Sequence, residues 1–125
     1  MDPRTNGRRT VLLVDDHEGL RAGIGCLLER AGYRVEVAGH GGQGIEQLRR
    51  LHVNLVVLDL DMPIMDGHAF LVVRARDAEL ARVPVLVYSA NAPPTTLPVG
   101  VDAYVWKGAD VADLLGAIER HSSPR

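Results

Sequence analysis

The sequence predicts an α/β domain: a doubly wound parallel sheet of five strands in the order 2-1-3-4-5, with helices on both faces. Three observations carry that prediction. Past their first residues, Thr10–Val14, Asn54–Leu58 and Pro84–Tyr88 are unbroken apolar runs, as strands covered on both faces require. Segments with apolar residues at helical spacing stand between these runs. The chain has 125 residues, one domain's length, and right-handed crossovers leave few ways to wind it.

Residues 1–9 read as a flexible polar arm, residues 10–121 as the domain and residues 122–125 as a polar tail. After the first strand, Leu20, Ile24, Leu27, Leu28 and Ala31 mark a helix that Gly32 stops. Tyr33–Ala38 alternates, with Val35 and Val37 inward, as a strand near a sheet edge does. Ile45, Leu48 and Leu51 mark a second helix, weakened by Gly41, Gly42 and Gly44. Asn54–Asp59 is the third strand. Pro63 and Gly67 force a loop over Asp61–Gly67, and Ala69–Ala78 is helical. Pro84–Tyr88 and Ala103–Trp106 are the fourth and fifth strands. Asp110 caps a last helix with a stripe of Val111, Leu114, Leu115 and Ile118.

Composition excludes several classes. Hydrophobic residues at 46% and charged residues at 24% place the chain among folded globular proteins rather than disordered ones. A formal charge of −2 offers no electrostatic footprint for nucleic acid or an anionic membrane. No apolar run approaches the ~20 residues of a membrane helix. A single cysteine, Cys26, and the lack of a signal core behind Arg4, Arg8 and Arg9 fit a cytoplasmic protein. Cys26 itself is expected as a small buried hydrophobe. The five histidines are scattered without metal-ligand spacing.

The C-terminal ends of parallel strands share one edge, where ligands bind at the point of strand-order reversal. That edge would carry Asp15 and Asp16 from strand one, Asp59 from strand three, Ser89 from strand four and Lys107 from strand five. Clustered carboxylates either share a proton or recruit a cation. Oxygen ligands with spare coordination positions suit Mg²⁺. A lysine and a serine opposite them supply donors for phosphoryl oxygens. Taken singly, Asp15-Asp16 is helix-cap chemistry, Asp59 is turn chemistry, and Ser89 and Lys107 are unremarkable. Their convergence on one edge points to phosphoryl transfer with a carboxylate nucleophile.

These residues resemble the receiver domain of response regulators, the phosphoacceptor half of two-component signalling. The likeness runs from Val11 to about Arg120. It rests on Val14-Asp15-Asp16-His17, on Asp59-Leu60-Asp61-Met62-Pro63-Ile64-Met65-Asp66-Gly67, on Ser89-Ala90 and on Tyr104-Val105-Trp106-Lys107. The resemblance implies a flavodoxin-like fold. It implies that Asp59 accepts a phosphoryl group from a histidine kinase or phosphotransfer protein. Asp16 and Asp59 would hold Mg²⁺ directly, Asp15 through water, with the backbone carbonyl of Asp61 as a further ligand. Lys107 and Ser89 would hold phosphoryl oxygens, and Tyr104 would be the aromatic switch that follows Ser89. The domain would catalyse only its own phosphorylation and dephosphorylation. No output domain is expected within these 125 residues, so the domain would signal through a downstream protein partner, by relay or by docking, unless it is a piece of a longer regulator.

Two departures from the family carry expectations. Gly108 stands where a proline is usual after the lysine, so the loop that aims Lys107 is expected to be looser. Pro93, Pro94 and Pro98 crowd the short span between Ser89 and Lys107, so the fourth helix is expected to be shortened, displaced or absent. Two rival readings follow. One is a degenerate receiver that binds a partner without phosphorylation. The other is a nucleotide-binding enzyme, since Gly39-His40-Gly41-Gly42-Gln43-Gly44 fits G-x-G-x-x-G. Too little chain follows Gly44 for the rest of a dinucleotide fold.

Overall fold

The computed structural model describes residues 8–60, 62 and 66–123. Five strands, β1 (Thr10–Val14), β2 (Arg34–Ala38), β3 (Leu55–Leu58), β4 (Val85–Ser89) and β5 (Ala103–Trp106), form one sheet in the order β2-β1-β3-β4-β5. Every pairing is parallel. Among the described residues, four α-helices connect or follow them: α1 (Glu18–Arg30), α2 (Gly41–Arg50), α3 (Gly67–Ala75) and α4 (Val111–His121). This is the winding expected from the sequence.

Alternation along the strands builds two cores, because successive side chains point to opposite faces. Val11, Leu13, Leu55, Val57, Leu86 and Val105 face α1 and α4, meeting Ile24, Leu28, Leu114 and Ile118. Leu12, Val14, Val56, Leu58, Val85 and Val87 face α2 and α3, meeting Ile45, Leu48, Phe70 and Leu71. Each such side chain stabilises the fold by about 1.5–3 kcal/mol through burial. Gly44 lets α2 come close: a Cβ there would sit 3.0 Å from Val14 Cγ2 and 3.2 Å from Phe70. Gly44 therefore serves helix packing.

Local chemistry ends the helices where the turns need them. Gly32 adopts φ 99° after α1, the left-handed conformation that glycine takes without penalty. Its N–H donates to the Glu29 carbonyl, and the Tyr33 N–H donates to the Leu28 carbonyl, which closes a Schellman motif. His17 and His40 cap α1 and α2, each accepting a backbone N–H at Nδ1, from Leu20 and Gln43. Asp66 caps α3 by accepting the Ala69 N–H at 2.8 Å. That cap is why α3 begins at Gly67, two residues before the expected start.

One expectation is met here and two are corrected. No helix lies between β4 and β5, and Ala90–Gly100 runs almost wholly exposed; the absent alternative holds, as the prolines require. Val37 is 44% exposed rather than inward, because β2 is the sheet edge and α1 covers only part of it. Cys26 is exposed, since α1 turns Ile24, Gly25 and Leu28 inward instead. Arg74 on α3, buried, was not foreseen as structural. It donates to the Val83 and Ala81 carbonyls and so closes the turn at Leu80–Arg82. Burial pushes its guanidinium below the usual value, while Asp102 pulls it back up. The N-terminal arm falls largely on residues 1–7, outside the described residues.

Candidate functional site

Strand register assembles the site. Val14 is paired with Leu58 across β1 and β3, so the next residue of each strand, Asp15 and Asp59, emerges on the same edge. Backbone bonds carry the ladder that far: the Asp59 N–H donates to the Val14 carbonyl at 2.9 Å, and the Asp15 N–H to the Ala38 carbonyl at 3.0 Å. Asp16 follows from β1 into the turn before α1. Carboxylate oxygens of Asp15, Asp16 and Asp59 lie within 4.8 Å of one another, the first and last buried and Asp16 exposed.

Lys107 reaches the cluster from the end of β5. Its Nζ donates to Asp15 Oδ2 at 3.0 Å and stands 4.0 Å from Asp59 Oδ2. The ammonium also lies 5.6 Å from the centre of the Tyr88 ring, a cation–π distance. With Gly108 in place of the proline, backbone hydrogen bonds flank Lys107. The Lys107 N–H donates to the Ser89 carbonyl at 2.7 Å, and the Ala109 N–H to the Trp106 carbonyl at 2.9 Å. Those two bonds aim the lysine without the proline.

Ser89 is fully buried at the end of β4, and its Oγ accepts the Asn91 N–H at 3.1 Å. Tyr104 packs on the α2–α3 side of the sheet and donates its hydroxyl to the Asn91 carbonyl at 3.2 Å. Asp15, Asp16, Asp59, Lys107 and Ser89 thus stand at the C-terminal ends of four strands or just beyond them, with Tyr104 tied to the segment behind Ser89. Asp61, expected to offer its carbonyl, lies outside the described residues, as do Pro63, Ile64 and Met65. Met62 is buried in the α2–α3 core, an anchor for that loop.

Three contributors escaped sequence reasoning. Arg21 on α1 donates to the Asp15 carbonyl at 2.6 Å and so braces the first acidic pair. Gly67 sits on the backbone behind Asp59: a Cβ there would be 2.5 Å from the Asp59 carbonyl oxygen and 2.6 Å from Leu60 Cα. The Asp66-Gly67 pair, a turn signal, held that information. Trp106 is 44% exposed and donates Nε1–H to the Ala90 carbonyl at 3.1 Å.

Chemically, the arrangement is a hard-oxygen donor set, exposed at Asp16, next to a partly buried ammonium. The donor set fits a small divalent cation that keeps part of its water shell. Among the described residues, no helix is long and apolar enough to cross a membrane.

Known proteins share this arrangement of elements. The chain is similar to the structure of the chemotaxis protein CheY4 from Vibrio cholerae, with a TM-score of 0.82 and 26% identity, over 92% of this chain and 99% of that one. It is similar to the receiver domain of a sensor histidine kinase from Pseudomonas aeruginosa, described with a magnesium ion coordinated in the active site cleft. There the TM-score is 0.83 and the identity 25%, over 92% of this chain and 98% of that one. In sequence it is 36% identical over 115 residues to the nitrate/nitrite response regulator protein NarL of Escherichia coli, covering 89% of this chain and 53% of NarL. It is 28% identical over 120 residues to the CAI-1 autoinducer sensor kinase/phosphatase CqsS of Vibrio cholerae, covering 92% of this chain and 18% of that protein. The chain thus spans about half of the first and under a fifth of the second. A family model described as the response regulator receiver domain matches residues 11–119. With the sheet order, the acidic edge and that match together, the chain belongs to the response regulator receiver domain family of two-component signalling.

Proposed function

We propose that Asp59 is the phosphoacceptor, charged by the phosphohistidine of a histidine kinase or phosphotransfer protein. One observation carries the reading. Asp59 ends β3 beside two other carboxylates and 4.0 Å from the Lys107 ammonium, a nucleophile with its charge partner already placed. In the transfer, an Asp59 oxygen forms a bond to phosphorus as the phosphohistidine N–P bond breaks, and the freed imidazole takes a proton from solvent. Lys107 and Ser89 hold phosphoryl oxygens, the first as a point charge and the second as a donor.

Asp15, Asp16 and Asp59 would hold Mg²⁺, with Asp15 acting through water and the Asp61 carbonyl as a further ligand. The likeness to a receiver domain described with magnesium in its cleft supports this. Bound there, the ion offsets the repulsion between carboxylate and incoming phosphoryl oxygens. The domain acts only on itself, forming and hydrolysing its own acyl phosphate.

Phosphorylation raises the charge on Asp59 to roughly −1.5 to −2 and adds strong acceptors. Ser89 then has a phosphoryl oxygen to donate to, and a new contact of this kind shifts a bistable segment. Tyr104, bonded to Asn91, follows that segment and alters the surface that a downstream protein reads.

The test uses the intact chain with acetyl phosphate and Mg²⁺, where acetate is the leaving group. Intact mass should rise by one PO₃ unit, and the gain should vanish in Asp59→Ala and in EDTA. A wild-type chain that never gains mass would instead support the degenerate receiver.

A further inference from the structure

The segment behind Ser89 is held from β5 by a second aromatic side chain besides Tyr104. Ser89 is paired with Trp106 in the β4–β5 register. The indole N–H of Trp106 donates to the Ala90 carbonyl at 3.1 Å. To reach it, the ring folds back over Gly108. A Cβ built at Gly108 would stand 2.4 Å from Trp106 Cζ2, 2.6 Å from Cε2 and 2.7 Å from Cη2. Real Cβ atoms do not approach that closely, so only glycine leaves room for this placement of the indole. Trp106 lies two residues after Tyr104, on the same face of the sheet, and no helix joins β4 to β5 there.

We propose that Trp106 is a positioning residue. It latches Ser89–Asn91 in the unphosphorylated arrangement and lets go when Ser89 swings toward a phosphoryl group on Asp59. The proposal rests on the phosphoacceptor reading above. Its physical basis is covalent. Ala90 is bonded to Ser89, so a displacement of Ser89 carries the Ala90 carbonyl with it and stretches the indole bond. Tyr104 acts one residue further on, through the Asn91 carbonyl. The segment beyond, up to Gly100, is exposed, so bonds from β5 matter more here than they would beneath a packed helix. A contact made in only one of two states shifts the balance toward that state. Trp106 therefore slows the approach to the phosphorylated arrangement.

Two variants test this from opposite sides. Trp106→Phe keeps a ring but removes the N–H. Gly108→Ala keeps the indole but displaces it. Labelling by acetyl phosphate with Mg²⁺, followed by intact mass over time, should run about fivefold faster in each, or about 1 kcal/mol at 1.36 kcal/mol per tenfold. The double variant should be no faster than either single one, because both break the same bond. Mg²⁺ affinity by calorimetry should not move, which separates a latch from a general loosening of the site. Trp106 is the one tryptophan in the chain, so its emission should shift on labelling in the wild type and stay fixed in Asp59→Ala. If Gly108→Ala loses its far-ultraviolet circular dichroism, Trp106→Phe alone decides. A Trp106→Phe rate at or below that of a labelled wild type overturns the latch while leaving the phosphoacceptor reading intact. A wild type that takes up no phosphoryl group overturns both.

Discussion

The Lys107 ammonium stands between two acids from different strands, 3.0 Å from Asp15 Oδ2 and 4.0 Å from Asp59 Oδ2. Asp15 and Asp59 are nearly buried, and the lysine side chain is 22% exposed. Water screens such a group less than it screens a surface pair. The ammonium is thus both a partner to the acids and a competitor for any cation they would take.

Replacing Lys107 by Met should separate these two roles. With the competing charge gone, Mg²⁺ should bind about three- to tenfold more tightly, in line with the loss of one nearby like charge. Phosphoryl transfer should slow by about tenfold or more, because a charged hydrogen bond to a phosphoryl oxygen is lost. Calorimetric titration checks the first outcome and mass-resolved labelling the second. Weaker Mg²⁺ binding in Lys107→Met would count against the geometry as interpreted.

Ser89→Ala removes the bond accepted from Asn91 and, under the proposed function, a donor to a phosphoryl oxygen. The bond accepted from Asn91 is neutral, worth about 0.5–1.5 kcal/mol, whereas a donor to a phosphoryl oxygen is worth about 1.5–3 kcal/mol. The larger loss should dominate, so labelling should slow by about tenfold. Loss of the Asn91 bond should lower the melting temperature by about 2–6 °C. Unchanged labelling kinetics would remove Ser89 from the proposed chemistry.

Gly67→Ala should destabilise the fold by about 1–3 kcal/mol, the usual cost of overpacking. The added Cβ meets backbone atoms of Asp59 and Leu60, which cannot step aside as a flexible side chain could. Denaturant unfolding measures the loss. Because the displaced backbone carries Asp59, labelling should also slow when the variant is assayed well below its unfolding midpoint.

His40→Ala deletes the acceptor for the Gln43 N–H at the start of α2. Losing a helix cap costs about 0.5–2 kcal/mol. His40→Asn should restore most of it, since an asparagine side chain caps the same position well. Urea midpoints of the three proteins compared side by side decide the point, and no difference between His40→Ala and wild type would show that the cap carries no weight.

Much of the fold was legible because strands buried on both faces leave an unmistakable apolar pattern, as in Val11–Val14 and Leu55–Leu58. The acidic edge was legible for a related reason. Parallel strands all end on one side, so Asp15, Asp59, Ser89 and Lys107 had to converge once the winding was given. The prolines between Ser89 and Lys107 announced the missing helix through their blocked backbone N–H groups. Val37 and Cys26 were misjudged because local periodicity says which residues share a face, and not whether a neighbouring element covers that face.

What amino-acid order settled here is the repeating kind of information: strand and helix periods, their alternation, and which chemistries end the strands. What needed the folded chain is every relationship across distant sequence. Lys107 chooses Asp15 as its closest partner, Gly67 rests on the backbone of Asp59, and Trp106 folds over Gly108 to reach Ala90. Such contacts depend on ångström-scale packing between segments that the chain separates, and no local pattern encodes a distance of that kind.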